Sequence, residues 1–422
     1  MRRVLIANRG AVAARAVETF RSLGWSPITV AAMSDPQQLH TVDADGCEYL
    51  DGEGLAETYD HVGRIVAAAV RCGAAAVHPG YGALAEDPEL PERLAAVGID
   101  FIGPSAQVLS AARDKEHAVA AAGRLGLPVL PHATGYEDIT ALVKEIGLPV
   151  ILKPVNGCGG LGVRILRTEA QAQEALALVA RDRGARWYAE RYVERGQVVG
   201  VTVAVDAAGT VAALGERESL LVEGSMKLLE ASPVERVAPG LLERMRADSA
   251  RLVTGMGLRN VATVEFIVGP AGHYFLEVNG RLPLAYRMCE AQTGTDLIAL
   301  QVELAGGALL APGRITADRS VHCLEARLFL GGPGRVERLD LAPEAGVTYN
   351  CALDVTRPVV LDNIVTQVLA TGGGRGRVAG AVLRAVEGSR ITGVTHCSEE
   401  IAACLRESGL VPDRLGSHAL GV

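Results

Sequence analysis

The first quarter of the sequence alternates short apolar runs with amphipathic stretches, and this alternation limits the folds that the chain can adopt. Three runs have the length and composition of buried strands: residues 4–7, 27–32 and 74–78. Helical patterns lie between them, at residues 11–23 and 59–72. Strands that alternate with helices predict a parallel sheet with helices packed on its faces. Residues 1–112 are therefore expected to form one α/β domain.

The pattern changes after the first domain. Strand-like runs at residues 148–152, 163–166 and 187–189 accompany a glycine-rich segment and a helix that ends near residue 180. This order predicts a small α+β unit in the central part of the chain. Later strand patterns occupy residues 200–205, 211–214, 262–268 and 273–278.

Length and composition exclude several classes of protein. A chain of 422 residues is too long for one typical core, so two to four domains are expected. The net charge is −8 and no basic run of five or more occurs, so nucleic acid is not an expected partner. The sequence contains no stretch of 18 uncharged apolar residues, so no membrane span is predicted. The eight cysteines are scattered without zinc-site spacing, which is typical of reduced thiols in a cytoplasmic protein.

A glycine-rich segment follows the strand pattern that carries Lys153. Its four glycines are Gly157, Gly159, Gly160 and Gly162. Glycines let backbone N–H groups approach and surround an anion, and a lysine can reach the same phosphates. The lysine precedes the glycines, so the segment is not a P-loop. A flexible hairpin loop with an incidental lysine is the alternative interpretation.

Two carboxylates lie on neighbouring strand patterns joined by a tight turn. Glu265 is on the first strand and Glu277 on the second, so pairing of the strands would place them side by side. Asn279 and Arg281 follow at intervals of two and are expected on the same face. Carboxylate and amide oxygens are the ligands that Mg²⁺ prefers when it is held together with substrate phosphates. The alternative is a solvated strand face with ordinary charges.

Only four of the 41 basic side chains are lysines: Lys115, Lys144, Lys153 and Lys227. Lysine is a compact point charge, whereas arginine is a planar fork, and a point charge suits a single phosphate oxygen in a tight space. A general bias towards arginine explains the scarcity of lysines but not the positions at which they are kept.

Seven short strings together resemble the ATP-grasp enzymes, specifically the biotin carboxylase branch. They are Ile6-Ala-Asn-Arg-Gly10, His78-Pro-Gly-Tyr-Gly82, Phe101-Ile-Gly-Pro104, Arg113-Asp-Lys115, the Lys153 loop, Glu190-Arg-Tyr-Val193 and Glu277-Val-Asn-Gly-Arg281. No single string is specific, but the combination is, and it covers about residues 1–410. The resemblance implies a Rossmann-like pre-ATP-grasp domain (1–112), an ATP-grasp domain (113–318) with a lid (about 127–192), and a biotin carboxylase-like C-terminal domain (319–422).

The resemblance also implies roles for particular residues. The ATP phosphates would be held by Lys115, Lys153, Gly157, Gly159, Gly160 and Gly162. The adenine would lie against Glu190, Arg191, Val193 and Ile267. The metal, Mg²⁺ with Mn²⁺ as an alternative, would be held by Glu265, Glu277 and Asn279. The catalytic cations would be Lys227, Arg281 and Arg327.

The sequence departs from the family on the side of the second substrate. Biotin carboxylases read N-x-R-x-Q-V-E-H across the active-site loop, whereas this chain has Pro283 at the glutamine and Ala285 at the glutamate that deprotonates bicarbonate. An alanine cannot accept a proton, and loss of a positioned base typically costs about 10²–10⁴-fold in rate. Glu230 and Glu290 are candidate replacement bases. The motifs expected to bind ATP and Mg²⁺ are therefore retained, whereas those expected to activate bicarbonate are altered.

These departures favour a carboxylate–amine ligase that forms an acyl-phosphate with ATP and joins it to an amine. Small-molecule acids and amines would be its partners, and a homodimer is the expected assembly. A genuine carboxylase acting on biotin or another nitrogen is the first alternative. A catalytically weak or non-catalytic ATP-binding homologue is the second.

Overall fold

A computed structural model of the protein describes residues 1–34, 39–156, 162–182, 186–224, 226–311, 313–331, 336–353 and 364–411. Three of the loop glycines predicted to hold phosphate, Gly157, Gly159 and Gly160, lie outside these residues. Within the described ranges, no helix is long and apolar enough to cross a membrane. The seven described cysteines are all free thiols.

The N-terminal part forms a five-stranded sheet flanked by helices. Its strands are β1 (Arg3–Ile6), β2 (Ser26–Ala32), β3 (Gly46–Leu50), β4 (Ala76–His78) and β5 (Asp100–Phe101). Its helices are α1 (Gly10–Ser22), α2 (Leu39–Val42), α3 (Gly54–Glu57), α4 (Val62–Arg71), α5 (Glu89–Ala96) and α6 (Ala106–Arg113), with a 3₁₀ turn at Leu84–Glu86. The strand order is β3-β2-β1-β4-β5 and every pair is parallel. The predicted parallel α/β architecture is confirmed.

A small unit follows, and it has a sheet and a core of its own. Its elements are α7 (Lys115–Arg124), β6 (His132–Thr134), α8 (Tyr136–Ile146), β7 (Val150–Pro154), β8 (Arg164–Leu166), α9 (Glu169–Arg181) and β9 (Trp187–Arg191). The four strands form an antiparallel sheet in the order β6-β9-β7-β8. Apolar side chains of α8 and α9, such as Ile139 and Ala175, pack with Val150 and Leu152 of β7. This is the α+β unit that the sequence predicts.

An eight-stranded antiparallel sheet forms the centre of the molecule. Its first strands and associated helices are β10 (Gln197–Val205), β11 (Val211–Glu223), β12 (Met226–Ser232), α10 (Pro239–Gly255), β13 (Asn260–Gly269), β14 (Gly272–Asn279), α11 (Tyr286–Thr293) and α12 (Leu297–Ala305). Alternate side chains of β10, including Val199, Val201 and Val203, are buried against α10 and α7.

The C-terminal segment extends this same sheet. It contributes β15 (His322–Phe329), β16 (Arg338–Asp340), β17 (Val347–Asn350), β18 (Ile364–Gly372), α13 (Arg375–Gly388), β19 (Arg390–Thr392) and α14 (Ser398–Glu407). The strand order is β14-β13-β10-β11-β12-β15-β18-β17. Since β15 pairs with β12, the sheet runs without a break across the expected domain boundary at residues 318 and 319. The domain limits remain predictions, but the two parts share backbone hydrogen bonds.

Candidate active site

The two predicted metal-binding carboxylates meet on one antiparallel hairpin. Glu265 of β13 is the direct register partner of Glu277 of β14. Asn279 donates from its side-chain nitrogen to Glu277 Oε1 at 3.2 Å, which leaves its amide oxygen for another partner. Glu265 is only 4% exposed, so the solvated-face interpretation does not hold for it. Antiparallel pairing brings directly opposite side chains to within about 5.5 Å, and this places the carboxylates together.

Lys227 occupies the space in front of Glu265. Its Nζ lies 2.5 Å from both carboxylate oxygens, and it reaches them from β12, three strands away from β13 in the sheet. Arg217 of β11 approaches the same carboxylate, with its Nη2 at 3.5 Å from Oε1. The predicted catalytic lysine and the candidate metal ligand are therefore in direct contact.

This donor set fits a magnesium ion better than a transition metal. No group of three or more His, Cys, Asp and Glu side chains arranged for a metal occurs among the described residues. Two carboxylates and one amide oxygen match the needs of Mg²⁺, because Mg²⁺ takes one or two carboxylates and completes its shell with water and phosphate oxygens.

A buried network of alternating charges adjoins Glu265, one of the candidate metal ligands. Arg327 of β15 donates to Glu325 at 2.8 Å and to the backbone oxygen of Lys227 at 3.0 Å, and it also pairs with Glu230. Arg217 binds the other oxygen of Glu230 at 3.2 Å. The three strands β11, β12 and β15 are neighbours in the sheet, and this brings the charges together.

Burial and charge act in opposite directions on the two acids of this network. Burial disfavours the charged form of Glu230, but Arg327, Arg217 and Lys227 outweigh it and hold the pKa of Glu230 at about 2. Burial dominates at Glu325, and the pKa of Glu325 is raised despite its contact with Arg327. Glu230 is therefore a poor proton acceptor, which argues against it as a replacement base.

Arg281 lies beyond the end of the strand that carries two of the predicted metal ligands. The strand β14 ends at Asn279, so the expected continuation of one strand face to Arg281 does not occur. Its Nε instead forms an ion pair at 2.9 Å with Glu86, which ends the 3₁₀ turn of the N-terminal part. The predicted catalytic arginine thus lies where the N-terminal part and the central sheet meet.

Three of the predicted nucleotide residues lie on the small four-stranded sheet: Lys153, Glu190 and Arg191. Lys153 of β7 forms an ion pair with Glu190 of β9, and Tyr188 donates to the other oxygen of Glu190 at 2.9 Å. Burial, together with the charge of Glu190, raises the pKa of Tyr188, so its hydroxyl stays protonated as a donor. The Nζ of Lys115, at the start of α7, lies 3.5 Å from the backbone oxygen of Val155.

The expected adenine contacts also lie close together. A Cβ added to Gly196 would stand 2.6 Å from Ile267 Cδ1 and 3.0 Å from the backbone oxygen of Val193, so this glycine permits the close approach of the two segments. Arg191 ends β9 and is exposed. Gly162 has a φ of +77°, a conformation that favours glycine.

Residue 285, where the family carries its base, lies in the apolar core. Ala285 is fully buried and packs with Met288, Cys323 and Leu369. No proton acceptor occupies the position at which the family carries its base. The other suggested replacement, Glu290, is held by Arg287 at 2.9 Å and by the backbone N–H of Leu297 at 3.0 Å.

Sequence reasoning missed several members of the site. Arg217, Glu325 and Glu86 are all in contact with predicted residues. Glu325 carried a usable signal, because it lies two residues before Arg327 on a strand and must share its face. Glu86 and Arg217 carried none, since their partners are far away in the sequence.

Comparison with known proteins shows which family the chain resembles. Residues 1–109 match the family model of the biotin carboxylase N-terminal domain, and residues 114–312 match that of the carbamoyl-phosphate synthase L chain ATP-binding domain. The biotin carboxylase of Haemophilus influenzae is 30% identical over 395 residues, which are 88% of this chain and 87% of the relative. Biotin carboxylase 1 of Bacillus subtilis is 29% identical and covers 93% of this chain and 92% of its own length.

Solved structures give the same result. A biotin carboxylase from Campylobacter jejuni superimposes with a TM-score of 0.88 at 27% identity and covers 97% of this chain and 96% of its own. The biotin carboxylase domain dimer of Hydrogenobacter thermophilus 2-oxoglutarate carboxylase, determined with MgADP, ADP and bicarbonate, also gives 0.88, at 26% identity, and covers 97% and 94% of the two chains. The chain belongs to the biotin carboxylase family of ATP-grasp enzymes.

Proposed function

We propose that this enzyme is an ATP-dependent carboxylase that phosphorylates bicarbonate and transfers the carboxyl group to a nitrogen acceptor such as biotin. The proposal is supported by relatives that match over nearly the whole chain and are named as carboxylases. The observation that carries it is the contact of Lys227 with Glu265, directly beside Glu277, because it brings a cation next to carboxylates that could hold Mg²⁺, and phosphoryl transfer relies on such charges. The alternative reading of the sequence is thus better supported than the amide-forming ligase.

In this proposal Glu265, Glu277 and the amide oxygen of Asn279 would hold Mg²⁺, which would neutralise charge on the ATP phosphates. Lys115 and Lys153 bind phosphate oxygens, and the hinge residues from Glu190 to Val193 contact the base together with Ile267. Positioning and charge neutralisation provide most of the catalysis in this class of reaction.

The cations have separate tasks. Lys227 leaves Glu265 to neutralise the phosphoryl group as it moves, and Arg281 stabilises the acyl-phosphate. Arg327, which Glu230 and Glu325 fix from two sides, holds the anionic oxygens of bicarbonate. Its buried acidic neighbours raise the pKa of Arg327, so the guanidinium remains charged throughout.

A carboxylate–amine ligase is the second candidate, and one observation favours it. Ala285 lies fully buried among apolar side chains, and an enzyme that activates an organic carboxylate needs no base to deprotonate bicarbonate. The same ATP and metal residues would serve both reactions.

Release of ADP from MgATP separates these candidates. We expect ADP release to depend on bicarbonate and to rise when free biotin is added. Glu265→Gln should lower this activity about 100-fold, whereas Glu243→Gln, an exposed acid on α10, should leave it unchanged. Activity that ignores bicarbonate but responds to a paired acid and amine would favour the ligase.

A further inference from the structure

A cavity of about 220 Å³ lies between α1 and the edge of the eight-stranded sheet. Ala11, Ala14 and Arg15 line it from α1, and Arg287 lines it from α11. Side chains of β15, β17 and β18 close its other side, among them Glu325, Asn350 and Gln367. Neither the candidate metal ligands nor the predicted nucleotide residues line this cavity.

One carboxylate oxygen of Glu325, a residue that lines the cavity, has no hydrogen-bond partner among the described residues. Glu325 is 1% exposed, and its Oε1 accepts from Arg327 at 2.8 Å and from Gln367 at 3.3 Å. Its Oε2 is buried and accepts no hydrogen bond from any described residue. A buried polar atom without a hydrogen bond lowers the stability of the folded protein, so a ligand that donates to this oxygen would be bound favourably.

The remaining polar groups show what such a donor would carry. Asn350 uses its amide nitrogen to bind Gln367 at 2.7 Å, so its side-chain oxygen is the end left to accept. Arg287 contacts Glu290 through Nη1, and a guanidinium has five donors, so others remain for an anion. Arg15 is held through its Nη2 by Asp296 at 2.6 Å. The residues that line the cavity thus include both hydrogen-bond acceptors and guanidinium groups.

We propose that this cavity binds a small aminocarboxylate, whose amino group donates to Glu325 Oε2 and whose carboxylate is bound by Arg287. The volume is below the usual range of about 300–1,000 Å³ for drug-sized ligands and suits a molecule of amino acid size. The lining residues include two arginines and two glutamates, so their charges nearly balance. A zwitterion has no net charge and preserves this balance.

The site is coupled to the active site through one side chain. Glu325 holds Arg327, which in turn binds the backbone of Lys227. A ligand on Glu325 therefore fixes the carboxylate that positions Arg327. The proposal concerns binding at this cavity and does not depend on which reaction the enzyme catalyses.

Isothermal titration calorimetry of the full chain tests the proposal, with glycine, β-alanine and 4-aminobutyrate as probes. We expect at least one probe to bind at a ratio of one per chain, and propionate and ethylamine, which each lack one end, to bind at least ten-fold more weakly. No binding by any of the three aminocarboxylates would overturn the proposal.

Two variants test whether the ligand binds in the cavity. Ala14→Leu fills it from α1 and should weaken probe binding at least ten-fold, while Ser22→Leu adds the same side chain to an exposed position of the same helix and should not. Arg287→Met removes the carboxylate partner at a partly exposed position and should have the same effect as Ala14→Leu without altering the packing of α1. Binding that is unchanged in both cavity variants would contradict the proposed site.

Discussion

At the scale of single residues, the site depends on charges that hold one another in place. Glu230 and Arg327 are each buried, and each has a second partner of opposite charge, Arg217 and Glu325 respectively. Breaking a buried pair by removing one partner costs about 3–5 kcal/mol, because the other charge is left without compensation. The rigidity of Arg327 is therefore a property of the network and not of Arg327 alone.

The pKa of Glu230 predicts a pH-dependent contribution to stability. Its folded value of about 2 lies below the ordinary 4.5, so the stabilisation is fully present above pH 4.5 and is lost as the pH falls towards 2. Urea unfolding should show that Glu230→Gln lowers the free energy of unfolding most at pH 7, and that the difference from the unaltered protein narrows below pH 4.5. Glu243→Gln is the exposed control. A difference that stays constant with pH would contradict the assigned pKa.

At the scale of elements, hairpins and neighbouring strands position the residues that are predicted to bind nucleotide and metal. Pairing of β13 with β14 sets Glu265 directly opposite Glu277. Pairing of β7 with β9 allows Lys153 to reach Glu190. Such contacts follow from pairing between strands whose register is fixed by their buried faces.

Lys153 provides the prediction at this scale. Lys153→Ala should weaken ATP binding at least ten-fold, because the substitution removes a phosphate-binding charge and leaves Glu190 without its cation. Binding of a fluorescent ATP analogue would measure the change. Lys144→Ala, on the exposed face of α8, is the matched control and should bind as the unaltered protein does. Equal affinity in the two variants would remove the basis for the nucleotide site.

At the scale of the whole molecule, the C-terminal segment is a structural part of the active-site sheet. It supplies Arg327 and Glu325 on β15, and the core that it shares with β12 includes Leu228, Leu229 and Leu324. Removing it would expose this apolar surface together with the unpaired edge of β12.

A chain that ends at residue 318 should therefore not fold independently. An exposed, apolar strand edge favours aggregation, and the buried Glu230 would lose Arg327 as its partner. We expect the shortened chain to elute as aggregates in size-exclusion chromatography and to lack a cooperative thermal transition by circular dichroism. A monodisperse product with a sharp transition would show that the expected domain limit is also a folding limit.

The sequence by itself determined the α/β start of the fold, the paired carboxylates Glu265 and Glu277, and the family. These features depend on local patterns, because strand and helix periods and short hairpins relate residues that are close along the chain. Only the tertiary structure decided that Arg217 and Arg327 share Glu230, that Arg281 turns to Glu86, and that a cavity lies beside Glu325. Those contacts join distant segments, and the order of strands within the sheets, which no local pattern encodes, brings them together.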